Sequence, residues 1–276
     1  EVNPKFIFVT GWNEWVAGRY TEWSKYTDAD CYYPGGLFVD QYTQEYSRDC
    51  EPMRGGHTDN YYYQLAGWVR RFKGVRPPPM SSGPSAIVID GAFADWRSVM
   101  PEFRDTIGDV THRDHPGYGT LVYRNDTGRN DFVRSKAGYD AEHLFFFVQT
   151  AKPITPHTDP FWMLLLLDMD PDAGTGWLGY DYIVNLEVVD GAMTTVKAWR
   201  DGTWESVGTA AYRVNGNGME LAVPRALVGE VGRTPSFDFH WADNIQGFGD
   251  VSELGVNGDS APNRRWNYRY KVAGQQ

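Results

Sequence analysis

Four aspartates, Asp168, Asp170, Asp172 and Asp181, punctuate the stretch WMLLLLDMDPDAGTGWLGYDYIVN, residues 162–185. Carboxylates at i, i+2 and i+4 on a turning backbone offer hard oxygen ligands, and Ca2+ takes six to eight such oxygens at roughly 2.3–2.6 Å. Gly174 and Gly176 let the backbone turn sharply. No Glu stands at loop position twelve, and strand-like rather than helical segments flank the loop, so the pattern is not an EF-hand. The expected metal ligands are Asp168, Asp170, Asp172 and Asp181, and the plainer alternative is an acidic hairpin loop that needs no ion. Mutual repulsion of four clustered carboxylates favours the cation.

A further carboxylate, Glu14, follows Phe6 to Val9, a continuous apolar run that fits a parallel strand covered on both faces. Thr10, Gly11, Trp12, Asn13, Glu14 and Trp15 gather polar and aromatic groups at the carboxyl end of that strand, where (β/α)8 barrels build their sites. Other chemistries lack their signatures. The six histidines are scattered without a helical i, i+4 zinc pair. There is no Gly-x-Ser-x-Gly elbow, and GGHTDN has no GK[ST] to make a phosphate loop.

The elements that must position these residues divide the chain in two. After the first strand comes a long loop, 16–58, rich in Tyr, Gly and Pro, and then a helix capped by Asp59 or Asn60. Tyr61, Leu65, Trp68 and Phe72 fall on one stripe of that helix, and Gly74 stops it. Residues 1–76 thus read as one β/α unit. A Pro/Ser/Gly linker occupies 77–84. From 85 to 276 short alternating strands are separated by turns such as Asp190-Gly191, Asp201-Gly202 and Asn215-Gly216. The only helical piece is Arg225 to Val228 after Pro224, so an antiparallel β-sandwich is expected.

A net charge of −10 and a pI near 5.0 leave no basic patch for nucleic acid. No apolar run approaches the roughly 20 residues of a membrane-spanning helix, and the first residues lack the form of a signal peptide. Two cysteines, Cys31 and Cys50, lie in one loop-like region, where a bridge would restrain the loop by roughly 3 kcal/mol and imply an oxidising compartment. Two unpaired thiols are the alternative. Eleven Trp and 17 Tyr suit both sugar stacking and a large β core.

FIFVTGWNEW, FVDQYTQEYSRD, EPMRGGHTDNYYYQL and RRFKG, within residues 1–76, resemble the last β/α unit of (β/α)8 glycoside hydrolases of the family 71 and 99-like group. IDGAFADW, LFFFVQTA, LLLLDMD, TGWLGYDYIVN, LAVPRALVG and FDFHWADN, in that order, resemble family 9 carbohydrate-binding modules over residues 86–272. The resemblance implies the carboxyl-terminal part of a secreted or periplasmic polysaccharide-degrading enzyme. The rest of its barrel would lie upstream, and its module would bind polysaccharide or oligosaccharide through aromatic residues and carry structural Ca2+. It places Trp12, Asn13, Glu14 and Trp15 along a sugar cleft, with Glu14 as the catalytic candidate. Two carboxylates flank a scissile glycosidic bond, and nothing in the sequence identifies the partner of Glu14. The alternative is a sandwich that binds no sugar and buttresses the barrel.

A sugar platform must be exposed. Trp96, Trp162 and Trp241, at strands or a tight turn, are expected in the core. Trp177 on the acidic loop, and Trp199 and Trp204 flanking the Asp201-Gly202 turn, are the candidate sugar contacts, with Arg129 and Asn130 as candidate hydroxyl partners. Asn125-Asp126-Thr127 fits a glycosylation acceptor.

Overall fold

A computed structural model of the chain describes residues 4–12, 19–20, 37–38, 49–52, 59–110, 112–116, 122–249 and 253–272. The protein is mainly β, and its backbone separates into two compact units, Glu1–Pro77 with Asp114–Tyr123, and Pro78–Arg113 with Arg124–Gln276.

In the first unit β1 (Arg19–Tyr20) and β2 (Leu37–Phe38) pair antiparallel. Helix α1 (Asn60–Lys73) runs where the apolar stripe predicts, from Asp59 to a positive-φ Gly74. Arg70, Arg71 and Lys73 sit in its last turn, where they complement the dipole. Asp59 makes no side-chain cap bond, so that part of the reading fails; its carbonyl accepts from Tyr63 N instead. Phe6, Ile7, Phe8 and Val9 form no strand and are exposed, as are Tyr61, Trp68 and Phe72. A parallel strand needs a neighbour on each side, and no described residue pairs with this run. Trp12 packs edge-on against Tyr62, and its backbone is tied to Glu51.

The second unit is one 11-stranded antiparallel sheet. Its strands are β3 (Glu102–Arg104), β6 (Phe132–Tyr139), β7 (His143–Thr150), β8 (Leu164–Asp168), β9 (Tyr182–Val188), β10 (Met193–Arg200), β11 (Thr203–Asn215), β12 (Gly218–Pro224), β13 (Ser236–Asp243), β14 (Asp259–Ala261) and β15 (Tyr268–Lys271). Two further strands, β4 (Arg113–Pro116) and β5 (Val122–Asn125), make a separate ribbon. The spatial order is β14-β13-β8-β9-β10-β11-β12-β7-β6-β3, with β15 also on β13. The sheet curls so that its ends meet. Phe103 of β3 stacks on Tyr268 of β15 at 4.9 Å, Phe146 of β7 meets Phe237 and Phe239 of β13, and Trp241 Nε1 donates to Ser135 Oγ of β6.

β8 explains the run of four leucines. Leu165 and Leu167 enter the main core between the sheet's faces, while Leu164 and Leu166 enter a second apolar cluster on the opposite face. With both faces covered, alternation disappears and a continuous apolar strand results. Trp96, Trp162 and Trp241 are core residues as expected.

Ala86 to Ile89 is extended but outside the sheet, and β11 runs unbroken over 203–215. Two expectations are corrected. The expected linker is partly docked: Ser81 N donates to Lys271 O, Ser82 N to Met100 O, and the Ser81 and Tyr270 hydroxyls share a 2.6 Å bond. Arg225–Leu227 is a single 3-10 turn in place of the brief helix.

Candidate functional site

β8 ends at Asp168 and β9 begins after Asp181, and the loop between them folds the chain back on itself. Asp181 N donates to Leu167 O at 2.9 Å and Met169 N to Asp181 Oδ2 at 2.8 Å, which closes the loop at its base. Asp170 Oδ1 accepts from Asp172 N and from Thr175 Oγ1. Trp177 and Tyr180 then exchange two backbone bonds of 2.9 Å each. Gly176, at φ 62°, is obligatory there, since a Cβ on it would lie 2.1 Å from Tyr180 O.

Carboxylate oxygens of Asp168, Asp170 and Asp181 lie within 4.8 Å of one another. Two oxygens on opposite sides of one Ca2+ are at most about 4.6–5.2 Å apart, so the spacing fits one ion. Asp168 is only 6 % exposed and its Oδ1 is buried without a hydrogen-bond partner. A buried lone oxygen of this kind is costly unless something charged meets it. Burial, and then the neighbouring Asp238, Asp181 and Asp170, push the Asp168 carboxyl up to about 7. Burial also raises Asp181, with Asp170 adding to the effect. Asp238, opposite Asp168 in the β13–β8 register, is held by Arg269 through bonds of 2.7 and 2.8 Å, so that cation is already committed. The residues therefore fit a divalent ion held by Asp168, Asp170 and Asp181. Asp172 does not join them. Its Oδ1 turns back to accept from Gly174 N, an Asx-type turn that the i, i+2, i+4 count does not distinguish from a ligand.

The same loop carries Trp177 into the second apolar cluster. There its ring meets Trp204 at 6.4 Å and Phe248 at 5.1 Å, and Trp204 meets Trp199 at 5.0 Å. Trp199 and Trp204 are register partners across the Asp201-Gly202 turn, whose residues both have positive φ as an Asp-Gly hairpin requires. Both are half-buried, whereas Trp177 is 4 % exposed, as buried as the core tryptophans and not exposed as expected of a platform residue. The three tryptophans singled out in the sequence thus converge, on a floor of Leu164, Leu166 and Ile183. Trp177 Nε1 and Trp204 Nε1 are both buried without an acceptor among the described residues. The core tryptophans contrast: Trp96 Nε1 donates to Glu220, Trp162 Nε1 to Thr155 O and Trp241 Nε1 to Ser135.

Arg129 and Asn130 are committed to partners within the protein. Arg129 donates through Nε to Asp243 and through its terminal nitrogens to Asp159 and Phe161 O. Asn130 is buried and bonded to Thr155 and Asp243. Asn125 is also buried, with Nδ2 donating to Gly258 O, so the acceptor pattern there is internal structure. Asn13, Glu14, Trp15 and Cys31 lie outside the described residues, and Cys50 forms no disulfide among those described.

Two groupings escaped the sequence reading. Glu220 of β12 accepts from Gly91 N at 2.6 Å and Trp96 Nε1 at 2.8 Å, which ties the IDGAFADW segment to the sheet. Asp105, Asp109 and Asp259 also bring oxygens within 4.8 Å. They lie 154 positions apart from first to last, and no local spacing announces them. Comparison with protein-family models, with curated proteins and with solved structures returns no match for this chain.

Proposed function

We propose that the second unit is a calcium-stabilised carbohydrate-binding module, of the family 9 type, within a secreted polysaccharide-degrading glycoside hydrolase. The observation that carries the reading is the convergence of Trp177, Trp199 and Trp204 with two buried indole N–H groups that no described residue satisfies. A buried donor without a partner calls for an acceptor from elsewhere. A pyranose supplies an apolar C–H face for the half-buried rings of Trp199 and Trp204 and, where a ring shifts on binding to uncover its N–H, a hydroxyl or ring oxygen to accept from it. The carboxylate loop supports the same reading, because it fits a structural Ca2+ beside the cluster.

The test is affinity electrophoresis of the chain in gels containing soluble β-glucan, xylan or mannan. At least one polysaccharide is expected to retard it. Trp204→Ala and Trp199→Ala should each weaken binding by roughly 30-fold, the effect of losing a central aromatic contact of about 2 kcal/mol. A folded chain that no polysaccharide retards is instead the buttressing scaffold.

The first unit we read as part of a (β/α)8 barrel whose remaining strands belong to the same enzyme. The exposed Phe6 to Val9 run and the exposed stripe of α1 support this, since both are apolar surfaces of the kind a barrel covers. Glu14 would then line the sugar cleft. In the intact enzyme Glu14→Gln should cost at least 10²-fold in turnover if it is the acid or base. The 276-residue chain alone should hydrolyse no glucan or mannan.

A further inference from the structure

The loop that gathers the carboxylates also carries Trp177, and its hydrogen bonds leave little slack between the two. Asp170 holds Thr175 through its hydroxyl, and Thr175 O accepts from Gly179 N at 3.1 Å. Trp177 and Tyr180 lock across Gly176, and the next residue is Asp181 itself. Trp177 is therefore suspended between two residues of the carboxylate group. Asp168, at the end of β8, is the fixed third member: 6 % exposed, with Oδ1 buried and lacking any partner. With a cation the three oxygens within 4.8 Å are drawn together. Without one, carboxylates at that range repel when charged, and two of the three, Asp170 and Asp181, also hold the turn around Trp177.

We propose that a divalent cation bound by Asp168, Asp170 and Asp181 controls sugar binding at the Trp177–Trp199–Trp204 cluster by fixing the position of Trp177, with no bond between cation and sugar. This rests on the reading of that cluster as a sugar site. Coupling of this kind is reciprocal: if Ca2+ tightens sugar binding by some factor, sugar tightens Ca2+ binding by the same factor.

The experiment measures both directions by titration calorimetry on the whole chain, using Ca2+ alone and cello-, xylo- and mannohexaose as probes. Hexaose affinity should be at least 5-fold higher with Ca2+ than in chelator, and Ca2+ affinity should rise by the same factor at saturating hexaose. Asp168→Asn should lose Ca2+ binding and show the weaker hexaose affinity. In Trp177→Ala, Ca2+ should still raise the melting temperature, but the hexaose should no longer change Ca2+ affinity. Should that variant not fold, Trp177→Phe keeps a ring without the N–H and should bring the coupling factor towards one. Equal hexaose affinity with and without Ca2+, in protein whose melting temperature responds to Ca2+, overturns the coupling and leaves the sugar site standing. Full coupling in the Trp177 variants overturns the route and points to direct cation–sugar contact. Absence of Ca2+ binding overturns the proposal outright. Absence of hexaose binding in either state removes the sugar reading and the coupling with it.

Discussion

Glu220 shows how much one side chain can organise. It is fully buried on β12, burial raises its pKa, and it is held by Gly91 N and Trp96 Nε1. Glu220→Ala strands both donors, each costing about 1–3 kcal/mol, so a loss of about 2–6 kcal/mol is expected in chemical denaturation. A loss below about 1 kcal/mol would show that water replaces the carboxylate. The carboxylates without cations behave differently. Burial, with Asp109 and Asp105 adding repulsion, pushes Asp259 up to about 8, and burial, with Asp109 adding to it, pushes Asp105 up to about 7. A folded-state pKa above the unfolded value of about 4 means that the folded protein holds protons that the unfolded chain releases. This contribution to stability is complete below pH 4 and is lost as pH rises to about 7–8. Metal-stripped protein should therefore melt at a lower temperature at pH 8 than at pH 5. Asp105→Asn should recover about 2–4 °C at pH 8, what ~1 kcal/mol gives in a domain of this size, and little at pH 5. A melting temperature that rises from pH 5 to pH 8 in chelator would contradict the electrostatic reading.

At the scale of elements, two glycines of similar φ separate a structural requirement from a conformational preference. Gly176 has Tyr180 O 2.1 Å from where a Cβ would stand, whereas Gly202, at φ 83°, has nothing within 4 Å. Gly202→Ala should cost about 1–2 kcal/mol, the ordinary strain of a left-handed residue. Gly176→Ala should cost clearly more and abolish the stabilisation by Ca2+, seen as equal melting curves with and without the ion. Equal costs for the two substitutions would mean that the loop can reopen freely. These elements also mark what the sequence made legible. The leucine run of β8, the Asp-Gly hairpin and the carboxylate loop were readable because each is local: hydrophobic pattern, turn chemistry and spacing lie within a few residues. Asp172 was misread because a ligand and an Asx turn share one local pattern. Arg129, Asn130, the Glu220 clamp and the Asp105–Asp109–Asp259 cluster depend on partners up to 154 positions away, which only the curl of the sheet brings together. Phe6 to Val9 has the composition of a buried strand, but composition supplies no neighbouring strands to pair with it.

At the scale of the whole molecule, the two units make unequal claims. The second has a continuous core and a converged aromatic cluster, while the first displays exposed apolar side chains. Its thiols report on compartment: Cys50 forms no disulfide among the described residues, and its expected partner Cys31 lies outside them. Thiol titration of denatured, non-reduced protein from an oxidising host should find no free thiol if the pair forms, and two would remove that support for secretion. The central claim, that Trp177 and Trp204 await an acceptor from a sugar, is tested most directly by the indole N–H resonances of 15N-labelled protein during titration with the hexaoses in Ca2+. The Nε1–H signals of Trp177 and Trp204 should shift as they gain acceptors, while those of Trp96, Trp162 and Trp241, already bonded to Glu220, Thr155 and Ser135, should stay in place. Titration that leaves the Trp177 and Trp204 signals unmoved by every hexaose would contradict the account.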